Sequence, residues 1–210
     1  MEKLCALTFD DGPSDTTLAL LELFKKYDCT ASFFVIGNRA VKNPDIMRKA
    51  VEAGCTIENH TWAHTTLTSQ TPDEMLQAFH ATQDVIREAV GELPMFCRAP
   101  GCRVDDTVYE TIPLPFMRGS CGSADWNSNP DDPVTSDLET RVAGILKVAR
   151  DGQIYLHHDC AGNHLTPDAL AIALPQLIDQ GYRFVNLREL FRRRGVVPQG
   201  HAKMQWDCVL

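Results

Sequence analysis

The sequence predicts an α/β protein built on a parallel sheet or barrel, and three observations support this fold class. Short apolar and β-branched runs alternate with longer amphipathic segments along the whole chain, which is typical of βα units. The chain has 210 residues, of which 44% are hydrophobic, and this suits one domain spanning residues 1–210. Polar residues follow several predicted strands, where folds of this class place their functional sites.

The first half of the chain contains four strand-like runs separated by helical segments. Apolar and β-branched residues predict strands over residues 4–9, 30–36, 56–59 and 95–98. Amphipathic spacing predicts helices over residues 14–24, 45–53 and 71–90. Ser14 and Thr71 are the expected N-caps, and Gly54 is the expected stop of the second helix.

The second half continues the same alternation. Strands are predicted over residues 116–119, just before Trp126, and over residues 153–156 and 184–186. Helices are predicted over residues 136–150, 166–180 and 187–194. Three consecutive arginines end the last helix, where the helix dipole favours cations.

The charge balance narrows the classes of partner. Twenty basic and 28 acidic residues give a net charge of −8, which argues against nucleic acid and anionic membranes. No run of 18 apolar residues and no signal-peptide pattern is seen, so we expect no membrane association. We expect a monomer that is either cytoplasmic or a domain excised from a secreted multidomain enzyme of an anaerobe.

Eight cysteines are scattered through the chain without any CxxC pair. Several sit in or beside apolar runs, where a thiol behaves as a small buried hydrophobe. A disulfide framework or a four-cysteine zinc site is therefore not expected. We predict that the thiols are mostly free.

Two segments at predicted strand ends indicate a metal site. Residues 8–13 read TFDDGP and place Asp10 and Asp11 side by side, where the carboxylates repel unless a cation or proton intervenes. Residues 59–64 read NHTWAH, and a helical turn would put His60 and His64 on one face, a spacing that suits a divalent metal. A polar turn and two surface histidines are the structural alternatives, which the combination disfavours.

Three later segments also follow predicted strands. Arg98 could pair with a carboxylate, and Asp125 stands before a tryptophan. His157 and His158 end another strand, and they must face opposite sides because strand side chains alternate. By themselves these three segments are weak signals.

In order and chemistry the five segments resemble the polysaccharide deacetylases, carbohydrate esterase family 4, which share the NodB homology domain. The resemblance extends from Leu4 to about Phe191 and implies a distorted (β/α) barrel with about seven repeats. It also implies a hydrolase that removes acetyl groups from an acetylated polysaccharide or oligosaccharide. One divalent metal ion, Zn²⁺ or Co²⁺, is the expected cofactor.

The resemblance assigns roles by position. Asp10 would be the general base and Arg98 would orient it. Asp11, His60 and His64 would bind the metal. His158 would be the general acid, supported by Asp125. His158 is chosen over His157 because the family places the acid two residues after a leucine and directly before an aspartate.

The expected substrate pocket is where the sequence departs from the family. Leu156 and Trp126 would line the space for the acetyl methyl group. Gly101 stands where the family usually has a tyrosine whose backbone N–H serves the oxyanion, so the N–H is kept and a side-chain wall is lost. Gly122 replaces the aspartate that the family often has three residues before Asp125.

The sequence leaves the substrate undecided and allows three other classes of function. Within the family, O-acetyl groups of acetylxylan are favoured, with N-acetyl groups of chitooligosaccharides or peptidoglycan as the alternative. A phosphatase of the haloacid dehalogenase type would separate its two aspartates by one position. A non-haem iron oxygenase would use two histidines and one carboxylate without the extra base, arginine and acid. An inactive glycan-binding homologue is the third alternative.

Overall fold

The computed structural model describes residues 2–125 and 136–210. Its central element is β1 (Lys3–Asp10), in which every residue after the first is buried. A strand of a parallel sheet is covered on both faces, which explains its nearly continuous apolar sequence. The strand ends on Asp10, so the first polar side chain emerges at its carboxyl end.

The other elements alternate as the sequence predicts. The further strands are β2 (Ala31–Val35), β3 (Thr56–Asn59), β4 (Phe116–Met117), β5 (Ile154–His158), β6 (Tyr182–Val185) and β7 (Gln205–Trp206). The helices are α1 (Asp15–Tyr27), α2 (Gly37–Ala40), α3 (Pro44–Glu52), α4 (Pro72–Val90), α5 (Asp106–Thr111), α6 (Leu138–Lys147), α7 (Leu165–Asp179) and α8 (Leu187–Arg194). The short elements α2, α5 and β7 were not predicted from the sequence.

The main sheet is parallel, in the order β3–β2–β1–β5, with β6 beside the first half of β1. Backbone pairing continues from β3 through Cys97 to β4 by isolated bridges. Ser120 then donates to the carbonyl of Ile154 at 3.0 Å and accepts from Leu156 at 3.3 Å, which joins this side to β5. The ring is therefore closed, and the expected distorted (β/α) barrel is confirmed.

Two predicted strands are wrong in detail. Residues 95–98 contribute only the bridge at Cys97, because the chain turns into a 3₁₀ helix at Pro100–Cys102. Residues 121–125, before Trp126, form no strand, because Gly122 adopts a φ of 74° that breaks an extended run. Trp126 itself lies outside the described residues. These irregular segments make the barrel asymmetric on that side.

Helix caps follow the sequence closely. Ser14 and Thr71 each form a capping box at the start of α1 and α4, and Gly91 ends α4 with a φ of 77°. The helix predicted from residue 166 begins one residue earlier, at Leu165. Thr166 lies inside its first turn, and its hydroxyl accepts from buried Arg141 at 3.0 Å.

Apolar side chains fill the interior of the barrel, and polar groups gather at the carboxyl ends of the strands. Inside the barrel, Phe34, Met117 and Ile154 pack against Leu190 and Phe191 of α8. A larger core lies between the sheet and the surrounding helices, with Phe9 stacked on Phe33 at 5.3 Å between ring centroids.

Within the described ranges, no helix has the length and apolar character needed to span a bilayer.

Candidate active site

Asp10 is held by Arg98 at the top of the barrel. The Arg98 Nη1 atom lies 2.6 Å from Asp10 Oδ1, and both side chains are almost fully buried. The guanidinium lies over the Phe34 ring at 4.2 Å, and its Nε donates to the carbonyl of Met117 at 3.4 Å. A charge-assisted hydrogen bond in this setting fixes the carboxylate in one orientation.

Asp11, His60 and His64 converge beside this pair. Asp11 Oδ1 is 3.5 Å from Nε2 of His60 and 3.5 Å from Nε2 of His64. The His60 Nδ1–H donates to the backbone carbonyl of Arg98 at 2.8 Å, which leaves Nε2 as the ring nitrogen that faces Asp11. A second hydrogen bond of this kind orients metal-binding histidines in proteins.

The histidine pair does not lie on a helical turn, so that part of the expectation is wrong. His60 and His64 belong to a loop in which Thr61 and His64 have φ values of 64° and 58°. Backbone bonds from the first turn of α2 and the side chain of Asn59 hold this loop, with the Thr61 N–H donating to Asn59 Oδ1 at 2.8 Å. The loop still brings the two imidazoles together, with ring centroids 5.1 Å apart.

The three donors fit a divalent cation. One donor atom from each residue lies within 4.8 Å of the other two, and Asp11 Oδ1 is buried without a hydrogen-bond donor among the described residues. Two imidazoles and one carboxylate suit Zn²⁺ and related divalent ions and leave coordination positions open. Burial opposes charge on Asp11, but the nearby His60 imidazole, 3.5 Å away, outweighs it and lowers the Asp11 pKa.

Asp125 receives both histidines at the end of β5. His158 Nδ1 lies 2.8 Å from Asp125 Oδ1, and His157 Nδ1 lies 2.6 Å from Oδ2. The neighbouring histidines leave opposite faces of the strand as expected, yet they meet again at one carboxylate. Burial opposes charge on Asp125, but the two histidines outweigh it and hold the Asp125 pKa well below its usual range.

His158 is the member of the pair with access to the site. Its side chain is 14% exposed, against 2% for His157. Burial alone would lower the His158 pKa, but the hydrogen bond and charge of Asp125 raise it to about 9. His158 is therefore protonated at neutral pH, as a proton donor must be.

A polar network that the sequence did not reveal ties Asp125 to His158 through the backbone. The Asn163 amide donates to the carbonyl of Asp125 at 2.6 Å and to that of His158 at 2.8 Å. Arg141 of α6 donates to Asn163 Oδ1 at 2.8 Å. A lone asparagine and a helical arginine carry no recognisable pattern, so only the fold could identify them.

Asp159 is a second buried group without a role assigned from the sequence. Its backbone N–H donates to the Asp10 carbonyl at 2.9 Å, and one carboxylate oxygen accepts from Thr17. Burial, together with the charges of Asp11 and Asp10, raises the Asp159 pKa to about 7. The Asp159 side chain packs closely against the turn after β1. A Cβ atom added to Gly12 would lie only 2.2 Å from Asp159 Oδ2.

Comparison with known proteins agrees with this geometry. Residues 1–113 match a family model described as polysaccharide deacetylase. That region contains Asp10, Asp11, His60, His64 and Arg98.

The chain belongs to the polysaccharide deacetylase family.

Three relatives illustrate the range of the family. A bifunctional xylanase/deacetylase of Pseudobutyrivibrio xylanivorans is 37% identical over 99% of this chain, which spans only 33% of that protein. A peptidoglycan-N-acetylglucosamine deacetylase of Bacillus cereus is 36% identical, with 91% of this chain and 89% of the relative covered. A family 4 acetyl xylan esterase from Clostridium thermocellum, solved with a cobalt ion, superposes with a TM-score of 0.90 at 35% identity, covering 99% of both chains.

The two glycines at which the sequence departs from the family pattern have different surroundings. Gly101 has a φ of 63° and is exposed, and among the described residues a Cβ atom there would meet only the Arg103 side chain, at 3.9 Å. Gly122 is different, because its Cβ would lie 2.4 Å from the carbonyl oxygen of Gly144 on α6. The loop before Asp125 therefore packs directly on that helix. Leu156 is partly exposed on β5, on the same strand face as His158.

Proposed function

We propose that this chain is a metal-dependent carbohydrate deacetylase that hydrolyses acetyl groups from a polysaccharide. The single observation that carries the proposal is the convergence of three units at one end of the barrel. These are the Asp10–Arg98 pair, the donors Asp11, His60 and His64, and the Asp125–His158 pair. Hydrolysis of an acetyl group needs a base, a charge stabiliser and an acid, and the three units match these needs.

Asp10 acts as the general base in this proposal. Arg98 holds Oδ1, so Oδ2 is the oxygen that takes a proton from the attacking water. The water oxygen bonds to the acetyl carbon, and the carbonyl electrons move onto the oxygen. A divalent cation bound by Asp11, His60 and His64 would supply Lewis-acid polarisation of that carbonyl.

His158 acts as the general acid that completes the reaction. When the bond between the acetyl carbon and the sugar oxygen or nitrogen breaks, the departing atom takes a proton from His158 Nε2. An alkoxide or amide anion is a poor leaving group, so this proton is required. Asp125 stabilises the charged imidazole through Nδ1, which makes a proton available at neutral pH.

We favour O-acetyl groups of acetylxylan as the substrate. The 37% identity to a xylanase/deacetylase and the fold match to an acetyl xylan esterase support this choice. The exposed backbone at Gly101, without a side-chain wall, suits an accessible, branched polymer. The N-acetyl groups of peptidoglycan or chitooligosaccharides are the second candidate, supported by the 36% identity to the Bacillus cereus deacetylase.

We also propose the identity of the metal ion, the domain organisation and the oligomeric state. Zn²⁺ or Co²⁺ is the expected ion, since two imidazoles and a carboxylate suit both and a related esterase was solved with cobalt. Residues 1–210 are taken as one catalytic domain that acts as a monomer.

Acetate release from a matched panel of substrates tests the function. The zinc-loaded protein is assayed on acetylxylan, N-acetylated chitooligosaccharides and peptidoglycan, with Asp10→Asn as the control for contaminating activity. We expect fastest release from acetylxylan. Release mainly from the N-acetylated glycans would favour the second candidate, and no release from any of them would favour an inactive homologue.

A further inference from the structure

Asp125 is unusual in that two histidine side chains bind its two oxygens. His158 occupies Oδ1 and faces the site, while His157 occupies Oδ2 from the opposite face of β5. His157 is fixed there by aromatic packing, with its ring 5.8 Å from Tyr155 at an interplanar angle of 9° and 5.7 Å from Phe9. Each oxygen of the Asp125 carboxylate is therefore hydrogen-bonded to a different imidazole.

The two imidazoles differ at their outer nitrogen. Nε2 of His157 is buried and has no hydrogen-bond partner among the described residues. A proton on that atom would be a buried donor without an acceptor, which is unfavourable. The proton of a neutral His157 therefore belongs on Nδ1, which donates to Asp125 Oδ2.

We propose that His157 is a positioning residue that acts through Asp125. Its Nδ1–H anchors Oδ2, so that Oδ1 keeps one orientation toward His158 Nδ1. The proposal rests on the proposed function, in which His158 delivers a proton. Without the anchor, the carboxylate rotates between orientations, and only some of them support the charged form of His158.

Other charged and titratable groups approach this assembly from every neighbouring element. They are Asp10 at the end of β1, Asp11 directly after it, Tyr155 on β5, Asp159 and Cys160 after β5, Arg141 on α6 and Cys121 in the loop before Asp125. The Cys121 sulfur is 3.8 Å from Oδ1 and also donates to the Ser123 carbonyl. It is a weak donor and does not replace the imidazole.

Three substitutions of His157 separate a hydrogen-bond role from a packing role. In His157→Asn, the amide nitrogen falls close to the place of Nδ1 and keeps the donor. His157→Gln carries the same amide one carbon further out, and His157→Leu keeps similar volume without a donor. The Asn and Gln variants form the decisive pair, because they share their chemistry and differ in where the N–H lies.

Two rates are measured for each zinc-loaded variant, on a sugar acetate and on an activated aryl acetate whose phenolate leaves unaided. For the Gln and Leu variants we expect kcat on the sugar acetate to fall on the order of tenfold. The aryl acetate rate should stay near the wild-type value, and the basic limb of the sugar acetate pH profile should move to lower pH. His157→Asn should behave like wild type in all three measurements.

Equal losses on both substrates, or a loss in His157→Asn as large as in His157→Gln, would overturn the positioning role. Nitrogen-15 NMR gives a readout that does not depend on activity. We expect a protonated Nδ1 and an unprotonated Nε2 on His157 of the wild-type protein, and a low-field Nδ1 proton on His158 that persists in the Asn variant and is lost in the Gln variant. The opposite His157 tautomer, or an unchanged His158 signal in the Gln variant, would contradict the proposal even if no glycan substrate were found.

Discussion

Asp10 and Asp11 are neighbours in the chain, but their partners differ. Asp10 is bound by a guanidinium at 2.6 Å, whereas Asp11 faces two imidazole nitrogens at 3.5 Å. The first arrangement suits a base whose charge is fixed in place, and the second suits a metal ligand. The roles can therefore be separated by substitution of one residue at a time.

Asp10→Asn should reduce acetate release by at least about 100-fold, because a general base typically contributes that much. The bound metal should remain, since Asp10 is not one of the three converging donors. Elemental analysis of the purified variant and an acetate assay measure the two effects.

Asp11→Asn is the matched control, and it should lose the metal as well as the activity. If Asp10→Asn lost the metal while Asp11→Asn kept it, the assignment of the pair would have to be reversed.

Asp125→Asn should move the basic limb of the rate profile to lower pH. The protonated form of His158 is the active one, so activity declines as the pH rises through its pKa of about 9. The asparagine lacks the negative charge that supports the imidazolium, so the His158 pKa falls. A pH series of kcat/KM on a sugar acetate checks this shift, and an unmoved basic limb would exclude Asp125 as the supporting group.

His158→Ala should lose far more activity on a sugar acetate than on an aryl acetate, because the phenolate leaves without a proton. Parallel assays on the two substrates measure the ratio. Equal losses would show that His158 positions the substrate or the metal. A larger loss in His157→Ala than in His158→Ala would mean that the acid is one residue earlier.

The loop that carries Asp125 depends on a close contact with α6. Gly122→Ala should destabilise the protein, because its Cβ would lie 2.4 Å from the Gly144 carbonyl oxygen. Gly91→Ala is a matched control, since Gly91 has a similar φ of 77° and, in the part of the chain that the structure describes, no atom lies within 4 Å of the added Cβ. The control should cost about 1–2 kcal/mol for the left-handed backbone.

Gly122→Ala should cost a further 1–3 kcal/mol, roughly, for overpacking. Gly122→Ala should also lower kcat on a sugar acetate, because the added Cβ pushes the loop away from α6 and displaces Asp125. Thermal unfolding and acetate release compare the two variants. Equal melting temperatures would show that the loop can move away from α6 without cost.

The elements that the sequence predicts well are those set by local rules. The N-caps Ser14 and Thr71 and the buried run of β1 depend on nearby residues only, and all three are confirmed. The loop at His60 and His64 was misread as a helical turn, because its positive φ values are imposed by Asn59 and α2. Tertiary contacts of this kind leave no periodic signal.

At the scale of the whole molecule, the five chemistry-bearing segments lie far apart in the chain and meet at one end of the barrel. The expectation that strand ends would gather them is met by Asp10, His60 and His158, whereas Arg98 and Asp125 reach the site from irregular segments. The sequence did not predict what holds them there. Only the structure shows the hydrogen bonds of Asn163, the burial of Asp159 and the contact of His157 with Asp125. Each of these joins segments that are distant in sequence.

All eight cysteines are free thiols in the structure, in agreement with their scatter through apolar segments. Burial raises the pKa of Cys5 to about 12, of Cys29 to about 12 and of Cys55 to about 11, so few thiolates are available for reaction. We expect these thiols to react slowly with an alkylating reagent in the native state. Mass spectrometry after denaturation without reductant should show eight labels, and a majority of blocked cysteines would contradict the prediction.

In the proposed function, Asp11, His60 and His64 hold a divalent ion on which deacetylation depends. The most direct test is acetate release from acetylxylan before and after exhaustive chelation, followed by stoichiometric return of Zn²⁺ or Co²⁺. We expect loss of activity on chelation, recovery near one ion per chain, and no recovery in a His64→Ala variant. Full activity in the thoroughly chelated protein would contradict the claim.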